Sequence, residues 1–242
     1  MDMISFKASL DNTSLPVDQA VIDTPLRQLA DKDRRALGLG PAFKVMVGEK
    51  MIAQNIPKRA AMAISKFFND ILTKHPRSTT FMLNDTDVSE DCVRSIVDFI
   101  IGNVKVNNTF ALRNKKMTFP REVALYRHVI CLFGMEQHAG PMRTALVDCL
   151  NKDIHLPTYA SLNELVQLPE NDPLYKCAVR CMEGLEHIGE MDGDEDWLVW
   201  LNDNYKFQID MEFWKEEREA RKAVEREAQR AGNFESNFPT LK

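Results

Sequence analysis

Apolar and polar positions along the chain change period several times, and those changes set out its elements. In Phe43-Lys44-Val45-Met46-Val47-Gly48, Phe43, Val45 and Val47 alternate with Lys44 and Met46, the period-two pattern of a half-buried strand. Met51 to Ile56 reads as a second strand, with Val47-Gly48-Glu49-Lys50 as the hairpin turn between the two. After Pro57 the period becomes helical: Ala60, Ala61, Ile64, Phe67, Phe68, Ile71 and Leu72 recur on one face until His75-Pro76. Thr80-Phe81-Met82-Leu83 is a third strand candidate. Val93, Ile96, Val97, Ile100 and Ile101 then form a helical stripe closed by Gly102.

Residues 103 to 118 are polar and irregular and read as a long loop. A helix starting at Phe119-Pro120 carries Val123, Tyr126, Val129, Ile130 and Phe133 to Gly134, and Gly140-Pro141 starts the next, which Pro157 ends. The last third is again helical. Leu162, Leu165, Val166 and Leu168 form one stripe, and Asn171-Asp172-Pro173 caps the next helix. Trp197, Leu198, Trp200 and Leu201 cluster, and Phe207, Met211 and Trp214 can pack back on the body. Lys215 to Arg230 is almost wholly charged, with Val224 its one large apolar residue. Without apolar a and d positions it reads as a solvated helix rather than a coiled coil. The tail from Gly232 to Lys242 is expected to be disordered. At the other end, Thr24-Pro25 reads as a helix start within an arm otherwise broken by Asp11 to Pro16, and Gly38 to Pro41 is a breaker.

Composition adds limits. The chain has 242 residues, 44% hydrophobic and 28% charged, with a net charge of −5, enough apolar material for a real core. The acidic balance argues against a nucleic-acid surface, Arg113, Lys115 and Lys116 reading as a solvated loop. No run is long and apolar enough for a membrane span, and Met1-Asp2-Met3-Ile4 lacks signal-peptide order, so a nuclear or cytoplasmic location is expected. The sequons at Asn12, Asn84 and Asn107 are then chance matches. The odd set Cys92, Cys131, Cys149, Cys177 and Cys181 fits free thiols in a reducing compartment.

Candidate chemistry is sparse. Cys177 and Cys181 share a helix face, but only His187 lies near them, so a zinc site lacks ligands. His128 and Cys131 are close enough for a nucleophile pair but have no orienting third group. Asp192, Asp194 and Asp196 match the first EF-hand positions, yet Trp197 stands where Gly belongs and Asp203 where Glu belongs. The run Glu190 to Asp196 therefore reads as an acidic inter-helix loop, its charge suited to the start of the Trp197 helix. Phe238-Pro239-Thr240-Leu241 fits an aromatic-x-x-aliphatic docking peptide, a pattern short enough to arise by chance. No catalytic, cofactor-binding or metal residue is assigned, no cofactor is expected, and the partner-binding residues stay unknown.

The order strand, strand, helix pair, strand, helix, helix pair resembles a BTB/POZ domain of the divergent type common in filamentous fungi. The supporting residues are Phe43 to Gly48, Ser65-Lys66-Phe67-Phe68, the Val93 to Ile101 helix, and Leu125-Tyr126 through Leu132-Phe133-Gly134-Met135. The resemblance implies an α+β BTB/POZ-like fold, a small mixed sheet flanked by helices, over residues 39–156. A partly ordered arm (1–38) precedes it; a helical extension (157–214) and a charged helix with a disordered tail (215–242) follow. It also implies a non-catalytic scaffold or adaptor, docking a protein partner or a second copy without touching nucleic acid or membrane. Expected contact elements are the N-terminal arm and the first helix after Pro57.

Departures narrow that implication. Gly40-Pro41 and Gln54-Asn55 stand where many members carry the Asp and His of a charged pocket. The segment from Asn103 to Met117 has no Glu, whereas cullin-binding members carry a hydrophobic-x-Glu motif there. A cullin-3 ubiquitin-ligase adaptor is the alternative, beside an enzyme around His128 and Cys131 and a subunit of a chromatin or RNA complex.

Overall fold

The structure, a computed structural model, describes residues 4–5, 28–84, 88–104, 112, 117–152, 157–191 and 193–235. Within them the fold is mixed α+β and mostly helical. The chain divides into two compact units, Met1–Pro169 and Glu170–Lys242.

The first unit is built on a sheet of three main strands: β2 (Ala42–Val47), β3 (Lys50–Pro57) and β4 (Thr80–Leu83). A two-residue strand, β1 (Ile4–Ser5), extends it, in the order β1-β4-β2-β3. β2 and β3 form the expected antiparallel hairpin, Val47 facing Lys50. Gly48 takes φ 55 at the first turn position, where a side chain would be strained. The register slips twice along this pair, and Asn55 lies in the left-handed region at φ 58, a conformation that asparagine tolerates better than most residues. β4 runs parallel to β2, Lys44 opposite Thr80, and β1 is antiparallel to β4.

The helical stretch after Pro57 is two helices, α2 (Lys58–Ile64) and α3 (Lys66–Lys74), parted at Ser65. α1 (Asp31–Leu37) precedes the sheet. Ser65 is fully buried and extended. Its Oγ donates to the Phe133 carbonyl at 2.7 Å and accepts from the Phe68 N–H at 3.3 Å, so it caps α3 while holding a segment 68 residues away. Beside it Lys66 N donates to Gly134 O and Phe67 N to Phe133 O, both at 3.3 Å. Gly134 has φ 56, and a Cβ there would meet the Lys66 Cβ at 2.9 Å, so glycine is required twice over. Ser65→Ala removes both a cap and a buried hydrogen bond. It is expected to lower stability by about 2 kcal/mol, read from the urea midpoint.

Around this junction Phe43, Phe67, Phe68, Phe81 and Phe133 cluster in tilted and edge-to-face contacts, Phe68 lying 5.2 to 5.8 Å from the other four rings. α4 (Glu90–Asn103) buries Val93, Ile96, Val97 and Ile100 and runs one residue past Gly102. α5 (Phe119–Arg127) continues into a π-helical turn, His128–Leu132, closed by Phe133 N to His128 O at 2.9 Å. α6 (Glu136–Asn151) begins before the expected start at Gly140-Pro141. Pro141 lies inside it, exposed and near the N-terminus, so the helix gives up one backbone bond there and continues. α7 (Tyr159–Leu165), read from the sequence as the start of an extension, packs on α5 within the first unit.

The second unit holds α8 (Pro173–His187), α9 (Glu195–Asp203) and α10 (Tyr205–Glu235). Asp172 caps α8, its Oδ1 accepting from Leu174 N at 2.7 Å behind Pro173 at the first turn. α10 extends through Gly232 to Glu235, beyond the end expected from the glycine, because nothing after it breaks the helix before that point. Thr24 to Arg27, most of residues 105–116 including the basic cluster, Asp192 and the Phe238 to Leu241 peptide lie outside the described residues.

Candidate interaction surfaces and buried polar sites

The residues singled out for chemistry are placed as structural elements. His128 is 1% exposed. Its Nδ1 donates to the Ala124 carbonyl at 2.7 Å, and its Nε2 accepts from the Ser89 N–H at 3.0 Å. Both nitrogens are therefore taken by backbone, which fixes the neutral Nδ1–H tautomer and leaves neither nitrogen for the Cys131 thiol. Cys131 is exposed, with its sulfur 3.8 Å from the Gln167 carbonyl. Ser89 is the residue before α4, and His128 supplies the acceptor for its N–H and ties α4 to α5.

Burial pushes the His128 pKa below its ordinary value, and Arg127 adds to this, opposed by the Ala124 hydrogen bond and Glu164. The unfolded chain therefore binds this proton more readily than the native one. The contribution of His128 to stability is complete above about pH 6.5 and is lost as pH falls through the lower native pKa. His128→Gln, which keeps an acceptor, is expected to flatten the pH 5–7 segment of the stability profile measured by thermal denaturation.

Cys177 is buried and Cys181 partly so. Burial raises the Cys177 pKa, which opposes thiolate formation. Among the described residues no group of three His, Cys, Asp or Glu side chains is arranged to hold a metal. In the acidic run, Asp194 caps α9, its Oδ1 accepting from Trp197 N at 3.1 Å. Trp197 is buried at 1% and helical where a calcium loop would have to turn. Among the described residues no helix is long and apolar enough to cross a membrane.

Surface apolarity is unevenly distributed. Of the nine large hydrophobic residues exposed among the described residues, seven belong to the second unit: Ile188, Leu198, Val199, Tyr205, Ile209, Phe213 and Val224. The helix after Pro57, expected as a contact element, is instead consumed by its own unit, with Ala60, Ala61, Ala63 and Ile64 all at most 2% exposed. Tyr205, Ile209 and Phe213 recur every four residues on α10 and share a face. Phe207 and Met211 lie on the opposite face and are buried.

α8 and α10 run parallel, joined by three polar rungs at one offset of 35 residues. The Tyr175 hydroxyl donates to Asp210 Oδ2 at 2.6 Å, Arg218 holds both Glu183 oxygens at 2.8 and 3.1 Å, and Lys222 Nζ lies 3.5 Å from His187 Nε2. Burial raises the Tyr175 pKa, and the Asp210 bond adds to this. Two clefts of about 330 Å³ each open along this seam and share Trp214. One has Tyr175, Val179 and Phe213 beside Trp214. The other is bordered by Arg180, Arg218, Arg221 and Lys222, with Glu183 and Glu225.

These surfaces were not found from the sequence. The exposed apolar face was hidden because Tyr205, Ile209 and Phe213 share helical spacing with the buried set, and only packing decides which set faces inward. No family model, curated protein or solved structure matches the chain significantly.

Proposed function

We propose that this chain is a non-catalytic protein-interaction scaffold, with a BTB/POZ-like first unit and a docking face on α10. The observation that carries the docking reading is the stripe Tyr205, Ile209 and Phe213, which are 67, 44 and 55% exposed on a helix that buries its other face. Exposed large apolar side chains grouped on one face mark interaction sites. A stable interface buries upward of about 1,000 Å², more than three side chains supply, so the partner covers further length of α10.

The order β2, β3, α2, α3, β4, α4, α5, α6, with β4 parallel to β2, supports the BTB/POZ-like reading. So does the junction of Ser65-Lys66-Phe67-Phe68 with Phe133-Gly134, two segments that carry the resemblance in sequence. The cullin-3 adaptor alternative draws no support from residues 103–117, which lack Glu.

The test is capture of the full chain from nuclear and cytoplasmic extracts, with Tyr205→Glu/Ile209→Glu run in parallel and light scattering on the purified protein. The account predicts a stoichiometric assembly, with a second copy or another protein, that the double variant loses while its melting temperature holds. A monomer with no stoichiometric partner, or an assembly unchanged by the variant, overturns it. A cullin among the captured proteins selects the adaptor alternative.

A further inference from the structure

The seam between α8 and α10 has two unlike halves that meet at Trp214. On one side are the rings of Tyr175, Phe213 and Trp214 with the Val179 side chain, and Phe213 is more than half exposed. On the other, four cations face two carboxylates. Glu183 is already neutralised by the two-pronged grip of Arg218. Among the residues lining this cleft, Arg180, Arg221 and Lys222 then stand against Glu225 alone. The Arg180 guanidinium lies 5.1 Å over the Trp214 ring, its Nε donating to the Lys176 carbonyl, so its remaining N–H groups are held at the groove rather than swinging in water. In a chain of net charge −5 this is a local excess of positive charge beside an apolar surface.

We infer that this groove binds an acidic peptide segment of a partner protein: a large aliphatic or aromatic side chain seats against Val179, Phe213 and Trp214, and the Asp or Glu residues next to it meet Arg180, Arg221 and Lys222. Charge complementarity selects the partner. A carboxylate accepts paired N–H bonds from a guanidinium, and the apolar half supplies an anchor of the kind that dominates peptide binding. A nucleic-acid strand fits less well. Its charge repeats at every phosphate, whereas the apolar half, bordered by Lys176, Asp210 and a Glu170 already paired with Lys206, offers no excess of positive charge.

The inference deepens the scaffold reading by naming a partner class, and its test turns on Arg221 and on the charge of the peptide, both outside the stripe of Tyr205, Ile209 and Phe213, so that the two can fail separately. The probe is a fluorescein-labelled peptide of two leucines followed by alternating Asp and Glu, titrated with the full chain and followed by anisotropy. Saturable binding is expected. Arg221→Glu, at an exposed position outside the three rungs, should weaken it about tenfold, and Phe213→Ala should weaken it severalfold, with melting temperatures unchanged. Replacing the acids by Asn and Gln, or the leucines by Ser, should abolish it. Failure of the peptide to bind, equal binding of the neutral peptide, indifference to both variants, or tighter binding of a labelled single-stranded RNA each overturn the proposal. If the peptide fails while capture still depends on Tyr205 and Ile209, the groove is wrong and the docking face stands.

Discussion

Phe68→Ala is expected to destabilise the first unit by about 3–5 kcal/mol, the range for removing a buried aromatic side chain. Phe68 is fully buried and touches rings from four separate segments: Phe43 on β2, Phe81 on β4, Phe67 on its own helix and Phe133 after the π-helical turn. Its loss leaves a void that cannot collapse easily, because the walls are a sheet on one side and a hydrogen-bonded junction on the other. Phe133 is fixed through its carbonyl by Ser65, and Gly134 is pressed against Lys66. A unit of this size shifts its midpoint by about 2–4 °C per kcal/mol, so thermal denaturation should fall by roughly 10 °C. Phe68→Leu, which refills most of the volume, should fall by much less. A Phe68→Ala midpoint close to that of the parent would show that this cluster is not the centre of the core.

The second large effect belongs to the Glu183–Arg218 pair. The Glu183 side chain is 8% exposed and Arg218 19%, and the two-pronged geometry satisfies both carboxylate oxygens. Glu183→Ala leaves the mostly buried Arg218 guanidinium without its counter-charge, and is expected to cost about 3 kcal/mol, the low end for breaking a buried pair because Arg218 retains some water. Arg218→Ala should cost a similar amount. Their effects should not add: a double-mutant cycle by urea denaturation should give a coupling of about 1–3 kcal/mol. Glu183→Met/Arg218→Met should recover most of the loss, since a packed apolar pair can replace a buried ionic one. Additive single effects would mean that the pair is solvated and the seam loosely closed.

Local signals in the sequence were read where the physics is local. The β2–β3 hairpin followed from alternation and Gly48, and the α8 start from Asp172-Pro173. The α4 stripe followed from spacing. What the sequence hid depends on distant contacts. Ser65 interrupts a run whose apolar period continues straight through it, and it does so because its hydroxyl has a partner 68 residues away. The slips in the β2–β3 register and the left-handed Asn55 leave no periodic trace. His128 read as a packed or surface-edge residue rather than a base, and only the fold places the Ser89 N–H against its Nε2. The α8–α10 rungs share an offset of 35 that no short-range pattern reveals. The groove that they frame was correspondingly invisible, although Trp214 and the cations that form it stood in plain view.

The most direct test of docking through α10 is site-specific photo-crosslinking in cells from a photoreactive phenylalanine analogue at position 209. The same probe goes at the exposed position 152 as a control. The account predicts one discrete crosslinked species from 209, of mass set by a second copy or a single partner, and none from 152. A diffuse smear from both positions, or no product from 209, would contradict it.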